Sequence, residues 1–350
     1  MKRMLYVLII CFLQFSCERR ELTYNYRSCK VAVHMDWSRL EQASGVAPSG
    51  MSVMFYPQQE GDVVMVQSNH IDKAIVALRA GRYNILVFNQ IPSDFGTIAF
   101  KGMDSFETAE VFAKPMDSKW YKPTGGDEII ARKPEYLAVA TYLDFEITEE
   151  MVDEAMQLDD EYGEVPPSVI LDFEPKLVIK NISIQMRVVG IQNIQAVRAA
   201  IKGMSVGYHF ASCKSRSNTA THLLEEWQKT NYEGTSTEGE LRTVLASFGL
   251  PKQLTSTKSE DDWTGSLAFE ILLVDNKTLI KQESFLDKHF VTLPGGEQSA
   301  DLLIKVGLST DPDDKPIELP DVEPEGDGGG GFEGDLGDWE DEEIVDIPLT

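Results

Sequence analysis

The stretch Cys29-Lys30-Val31-Ala32-Val33-His34-Met35-Asp36-Trp37 decides the fold class of this chain. Its odd-numbered positions are apolar, whereas its even-numbered positions are mostly small or polar. Successive side chains of a β-strand point to opposite faces of a sheet, so this alternation indicates a strand with one buried face. We therefore predict that the folded part of the chain starts with a half-buried strand.

The same period recurs along the chain and predicts an all-β protein. Residues 51–56 form an apolar run that stops at Pro57, and residues 84–88 form another after the turn signal Ala80-Gly81. Later in the chain, alternation at 182–188, 267–273 and 302–308 repeats the pattern. Because the alternating strands bury a single face, the expected architecture is two sheets packed face to face.

Helices are expected to be few and short. Residues 148–162 are acidic with apolar side chains on one side. Residues 193–202 begin with a capping Asn and are followed by Gly203, and residues 219–229 carry Leu223, Leu224 and Trp227 at helical spacing. These three segments are predicted as helices whose apolar stripes face the core.

The N-terminus decides where the chain works. Lys2 and Arg3 precede an apolar run over residues 4–15, and Ser16-Cys17 follows it. This order predicts an export signal over residues 1–16, because the run is shorter than the roughly 20 apolar residues of a spanning helix. A cysteine at the cleavage point resembles a bacterial lipobox, so Cys17 is the predicted lipidation site. Ordinary secretion with an unmodified Cys17 is the alternative.

Composition divides the remaining chain into two domains and a tail. Pro166-Pro167 ends the acidic helix and stiffens the connection, so we predict one β-sandwich domain over residues 17–165 and a second over residues 166–310. Residues 311–350 hold 16 Asp or Glu against one Lys, together with a run of glycines. Charge repulsion and backbone entropy predict that this tail is disordered.

The charge and the motifs exclude several classes of function. A formal net charge of −25 repels phosphate backbones, which excludes nucleic acid as a partner. The sequence holds no G-x-S-x-G elbow, P-loop, H-E-x-x-H motif or paired C-x-x-C, so no catalytic residue, metal site or cofactor is predicted. Cys29 and Cys213 are left as a possible disulfide pair of an exported protein, and this pairing stays open.

Three aromatic residues in expected loops could bind a glycan by stacking against sugar rings. Trp120 and Tyr121 lie beside Lys119 and Lys122, and Trp263 follows two aspartates. The alternative is that each ring packs over the end of a sheet.

Taken together, these segments resemble the fimbrillin-like lipoproteins of Gram-negative anaerobes, which include shaft, anchor and tip subunits of surface fimbriae. The resemblance rests on the start that ends at Cys17, the strand over 31–37, residues 50–57 and residues 80–89, and more loosely on 177–191 with Gly203-Met204. It covers most of residues 17–310.

This resemblance implies two transthyretin-like β-sandwich domains in series, no catalysis, and an outer-membrane lipoprotein. Polymerising members assemble by strand donation, in which a groove opened by proteolytic removal of the first strand accepts an extended segment of another subunit. The predicted donor residues here are Ile344, Val345, Ile347 and Leu349. The alternative is a flexible tail that projects from the body of the protein and donates no strand.

If the first strand is retained, the resemblance implies an anchor, a tip or a solitary surface protein instead of a shaft subunit. The predicted partners are then the membrane, through the lipid, and other fimbrial subunits. The alternative function is a surface glycan-binding lipoprotein of a polysaccharide uptake system.

Overall fold

A computed structural model describes residues 27–45, 47–123, 125–162, 166–251, 265–285, 290–292, 302–308, 314–324 and 344–345. The described chain is mostly β-strand, which confirms the predicted all-β class. The strands are β1 (Cys29–Met35), β2 (Met51–Pro57), β3 (Val64–Ser68), β4 (Lys73–Leu78), β5 (Gly81–Asn89), β6 (Ile98–Lys101), β7 (Glu110–Ala113), β8 (Ile130–Ala131), β9 (Ala138–Ile147), β10 (Val169–Phe173), β11 (Lys176–Leu177), β12 (Lys180–Val189), β13 (Ile194–Ser205), β14 (Gly207–His209), β15 (Lys214–Ser215), β16 (Thr219–Leu224), β17 (Gln228–Asn231), β18 (Glu238–Ser247), β19 (Gly265–Leu273), β20 (Thr278–Phe285), β21 (Phe290–Thr292), β22 (Leu302–Val306), β23 (Ile317–Glu318) and β24 (Ile344–Val345).

Two α-helices occur in the described residues, α1 (Ser38–Ser44) and α2 (Glu149–Tyr162), besides 3₁₀ turns at Pro92–Asp94 and Ile191–Asn193. Helix α2 confirms the helix predicted over residues 148–162. The hydroxyl of Thr148 accepts a hydrogen bond from the backbone N–H of Met151 at 3.3 Å. This contact satisfies one of the N–H groups that have no partner within the first helical turn.

The other two predicted helices are wrong. Residues 193–202 lie mainly in β13, and residues 219–229 form β16, a three-residue connection and the start of β17. Strand β13 is buried on both faces, so apolar residues occupy adjacent positions and imitate a helical period. Its Arg198 and Lys202 form ion pairs with Glu270 and Glu128, which lets charged residues lie in a covered strand.

The first half of the molecule, strands β1–β11, contains two sheets. Sheet A has the order β10-β1-β4, and sheet B has the order β11-β9-β5-β2-β3. The first core lies between them and includes Val33 of β1, Phe55 of β2 and Ile85 of β5, all fully buried. Trp37 and Leu40, which follow β1, and Val152 of α2 also belong to this core.

The second half, strands β12–β24, contains two larger sheets. Sheet D has the order β8-β16-β13-β19-β20-β24, and sheet E has the order β17-β18-β12-β22-β21, with β23 beside β12. The second core lies between these sheets and contains Ile184 of β12, Leu241 of β18 and Phe269 of β19, none of them exposed.

Both halves contribute to sheet C, whose order is β15-β14-β7-β6. A third cluster, the shared core, packs beside this sheet and holds Phe88 and Val111 from the first half with Phe210 and Phe248 from the second half. The rings of Phe88 and Phe210 are stacked with centroids 6.4 Å apart. The two halves are therefore joined by strand pairing and by apolar burial.

Strands β10 and β11 follow Pro167 in the sequence but pair with strands of the first half. β10 lies parallel to β1, with Val31 opposite Val169, and β11 pairs with β9. The boundary at 165/166 and the count of two tandem domains stay predictions.

The prediction of disorder beyond residue 310 is wrong for residues 314–324. Ile317 and Leu319 are buried in the second core, and the N–H of Leu319 donates to the carbonyl of Val189 at 2.9 Å. The Nδ2 of Asn193 donates to the carbonyl of Pro320 at 2.7 Å. Alternating apolar residues among the acids thus let this segment add β23 to sheet E.

Candidate strand-addition site

Strand β1 fills the middle of sheet A. Val33 lies opposite Ala74 of the antiparallel neighbour β4 and opposite Leu171 of the parallel neighbour β10. The backbone of β1 therefore forms ladders on both sides. Its removal would leave a groove between β4 and β10 with unpaired backbone groups on both walls, which is the geometry that strand addition requires.

The side chains of β1 tie it to the first core. Val31 and Val33 are fully buried, and Cys29 is 1% exposed. Burial raises the pKa of the Cys29 thiol, so it stays protonated at neutral pH. Cys29 and Cys213 are both free, the first buried and the second exposed, so the possible disulfide between them is absent.

Contacts at both ends also hold β1 in place. Before the strand, the Arg27 guanidinium forms ion pairs with Glu149, at 3.5 Å, and with Asp153 of α2. After the strand, the Trp37 indole Nε1 donates to the carbonyl of Ile71 at 2.7 Å, and the residue is 4% exposed. The buried indole is the stronger of the two restraints, because exposed ion pairs contribute little.

Helix α1 protects the connection between β1 and β2. Arg39 is the only Lys or Arg between residues 36 and 50, and its Nε lies 2.5 Å from the carboxylate of Glu174. The next residue, Leu40, is 3% exposed in the first core. A protease needs an extended segment, so the helix, its ion pair and the buried Leu40 oppose cleavage at Arg39.

We expect the folded protein to resist an arginine-specific protease at Arg39, and the variant Leu40→Ala to be cut there at least about tenfold faster. Loss of a buried leucine costs about 2 kcal/mol or more, which favours local opening of α1. Mass spectrometry of timed digests measures the cut. Glu41→Ala, which changes an exposed residue of the same helix, is the control and should match the wild type. Rapid cutting of the wild-type protein at Arg39 would contradict this protection.

Two of the four predicted donor residues lie in the described part of the chain. Ile344 and Val345 form β24, which runs parallel to β20 at the edge of sheet D, opposite Thr278 and Leu279. Ile347 and Leu349 lie outside the described residues. Residues 344–345 thus form a short strand at a sheet edge of their own chain.

The predicted glycan-stacking residues Trp120 and Tyr121 are engaged within the protein. The Trp120 Nε1 donates to the carboxylate of Glu225 at 2.8 Å, and the Arg198 guanidinium lies 4.7 Å from the ring centroid. Tyr121 is 9% exposed, and the Lys202 ammonium lies 5.7 Å from its ring centroid. These contacts favour the packing alternative. Trp263 lies outside the described residues.

No group of three or more His, Cys, Asp or Glu side chains is arranged to hold a metal ion in the described part of the chain. Across the same residues, no helix combines the length and apolar character needed to cross a membrane. The predicted signal over 1–16 and the predicted lipidation site Cys17 lie outside the described residues.

Two features of this site were not predicted from the sequence. They are strand β10, which would form one wall of the groove left by removal of β1, and the ion pair between Arg39 and Glu174. Residues 169–173 read Val-Ile-Leu-Asp-Phe between Pro167 and Pro175, a short apolar run with turn signals on both sides. That signal is typical of a strand and could have identified β10. The parallel pairing with β1 could not be predicted, because it depends on tertiary packing.

Comparison with known families gives one match over more than half of the chain. The family model described as a domain of unknown function, DUF5119, matches residues 16–225. A protein of Bacteroides ovatus, provisionally named fimbrium anchoring subunit Fim4B, is 23% identical over 349 residues, which cover 95% of this chain and 94% of that protein.

One solved structure shares the fold, and a second matches less well. A crystal structure provisionally described as an adhesin, also from Bacteroides ovatus, matches with a TM-score of 0.58 and 19% identity, covering 88% of this chain and 98% of that one. The fimbrial anchor protein Mfa2 from Porphyromonas gingivalis matches with a TM-score of 0.43 and 12% identity, covering 83% of this chain and 95% of that one. The first of these likenesses indicates a common fold.

Proposed function

The chain belongs to the family described as a domain of unknown function, DUF5119, and from this premise we propose that it is a non-enzymatic fimbrial or adhesin-like protein of the cell surface. The provisional name of the Bacteroides ovatus relative, a fimbrium anchoring subunit, supports this function. The all-β fold, similar to that of a protein described as an adhesin, also supports it.

Within that function, the closed sheet A supports an anchor or tip role over a shaft role. A shaft subunit must open an acceptor groove, and here β1 is paired on both sides with its inward side chains buried. Helix α1 opposes proteolysis of the connection between β1 and β2, because Arg39 forms an ion pair and Leu40 is buried. The single observation that carries the proposal is that the first strand is paired on both sides and that the connection after it is protected.

The partner contact is proposed to be strand addition by the C-terminal segment that contains Ile344, Val345, Ile347 and Leu349. β24 supports this role, since it pairs along the edge of β20. Main-chain hydrogen bonds at a sheet edge would supply affinity, and alternate side chains would supply specificity. The glycan-binding alternative is not advanced, because the Trp120 ring already has a cation over its face and a hydrogen bond to Glu225.

Attachment to the outer membrane is proposed to depend on Cys17. We expect Cys17→Ser to shift the protein from the membrane fraction to the soluble or secreted fraction, because acyl chains contribute about 0.8 kcal/mol per buried CH₂. Fractionation followed by intact-mass analysis measures both the location and the modification. Cys11→Ser, within the predicted signal, is the control and should stay membrane-bound. A Cys17→Ser protein that remains fully membrane-bound would contradict lipid attachment at this residue.

A further inference from the structure

An arm of the first half reaches the second half. This arm, residues 114–132, follows β7 and folds back on itself, with Pro115 bridged to Ala131. The N–H of Met116 donates to the carbonyl of Ile130, and that of Arg132 donates to the carbonyl of Lys114, both at 2.9 Å. The base of the arm is therefore a short two-stranded ladder.

The returning strand of the arm, β8, completes sheet D. Ile130 and Ala131 lie parallel to β16, opposite Thr221 and His222, and the N–H of Thr221 donates to the carbonyl of Ile129 at 2.8 Å. The edge of β16 is thus covered by a strand from the first half. This contact is short, since it pairs two residues of β16, whereas β13 pairs with β16 along most of its length.

A carboxylate fastens the arm to the outer face of sheet D. Glu128 accepts hydrogen bonds from the Tyr121 hydroxyl at 2.5 Å and the Thr221 hydroxyl at 2.6 Å, and it lies 3.3 Å from the Lys202 ammonium. The Glu128 side chain is 14% exposed. Trp120 adds the contacts to Arg198 and Glu225 described above.

Beneath this joint, on the opposite face of β16, His222 is buried without a polar partner. The residue is 1% exposed, and neither ring nitrogen has a hydrogen-bond partner within the described residues. Ala220 and Leu224, two positions away on either side, belong to the shared core and to the second core. The imidazole therefore lies between the two cores, directly under the strand pair that holds the arm.

Within the described residues, no carboxylate is placed to neutralise a protonated His222. Glu128 on the arm and Lys202 on β13 lie on the opposite face of β16, around Thr221. On β18, Glu240 pairs with Arg242, whereas the core-facing Leu241, Thr243 and Leu245 carry no charge. Burial lowers the pKa of His222 to about 4, since desolvation disfavours the charged ring.

We propose that His222 makes the joint between the arm and β16 an acid-sensitive lock, which opens while both halves remain folded. A proton on the buried imidazole requires water or an anion, and separation of the short β8–β16 pairing, in which His222 lies opposite Ala131, would admit water to this strand. The remaining pairing of β16 with β13 and the two cores hold the rest of the structure in place.

The sign of the effect follows from the two protonation equilibria of His222. In the closed protein the pKa is about 4, whereas an exposed imidazole titrates near 6.5, so the open state binds more protons. Closure is therefore fully favoured above about pH 6.5 and is lost progressively as the pH falls toward 4. Between pH 8 and pH 5 the opening equilibrium of the joint should rise about 30-fold.

Amide hydrogen exchange of the full mature chain, corrected for intrinsic rates, tests the lock at pH 8 and pH 5. In the wild type, peptides covering 114–132 and 219–224 should lose protection about 30-fold at pH 5, while peptides of β2 and β12 keep theirs. His222→Leu should abolish this pH dependence, because no group remains to be protonated at the joint. His70→Leu, at an exposed position, should behave as the wild type.

Three outcomes would overturn the proposal: no pH dependence in the wild type, the same dependence in His222→Leu, or equal loss of protection in β2 and β12. If His222→Leu does not fold, His222→Met serves in the same experiment. If neither folds, a nuclear magnetic resonance titration of the wild type decides. An imidazole of His222 that protonates above pH 6 with the arm still protected would refute the lock.

Discussion

Replacing Val33 with Asp is expected to destabilise the first half of the protein by more than about 4 kcal/mol, so that little of it folds at 37 °C. Val33 is fully buried at the centre of β1, between Ala74 and Leu171. The substitution loses apolar burial and also places a carboxylate without a partner in the first core. Urea unfolding followed by circular dichroism measures the loss.

The control for this change is Ile75→Asp on the neighbouring strand β4. Ile75 is 50% exposed and faces away from the first core, so its replacement should cost no more than about 1 kcal/mol. A Val33→Asp protein as stable as the Ile75→Asp protein would mean that β1 is dispensable, and the closed-groove account would fail.

The second large effect is expected at the arm. Glu128→Ala should destabilise the protein by about 2–4 kcal/mol, because it leaves the Tyr121 and Thr221 hydroxyls and the Lys202 ammonium without this acceptor in a largely buried place. Protection of residues 114–132 against hydrogen exchange should fall with it. The unfolding midpoint in urea and the exchange rates together measure the effect.

Glu225→Ala provides the control, because Glu225 is exposed and accepts one described hydrogen bond, from Trp120. It should cost less than about 1 kcal/mol and leave the arm protected. Equal losses for Glu128→Ala and Glu225→Ala would show that the Glu128 contacts do not fasten the arm.

The sequence predicted the alternating strands β1 and β12 and the apolar runs of β2 and β5, but it failed at β13. β1 and β12 alternate cleanly, because one face of each meets a core, and both were predicted. β13 is buried on both faces beneath the arm, so Val197, Ala200 and Ile201 imitated a helix. The local sequence of β13 cannot show that its outer face is buried by residues 114–132, because these residues lie far away in the sequence.

The candidate site was predicted in part for the same reason. The first strand and its alternation are local features, and the sequence identified them. The pairing of β1 with β10 and the ion pair between Arg39 and Glu174 each join residues about 135 positions apart. Only the fold brings these residues together. His222 is one of five histidines in the sequence, and nothing in its neighbours along the chain reveals that it is buried with no described hydrogen-bond partner.

The central claim is that the mature protein is a fimbrial or adhesin-like surface component that keeps its first strand. Its most direct test is isolation of the protein from the native cell surface without boiling, followed by mass spectrometry of the protein and of the chains that co-purify. The account predicts a mature chain that still contains residues 29–37, in a complex with other fimbrial subunits. A chain that begins after residue 37, or an intact monomer with no associated subunit, would contradict it.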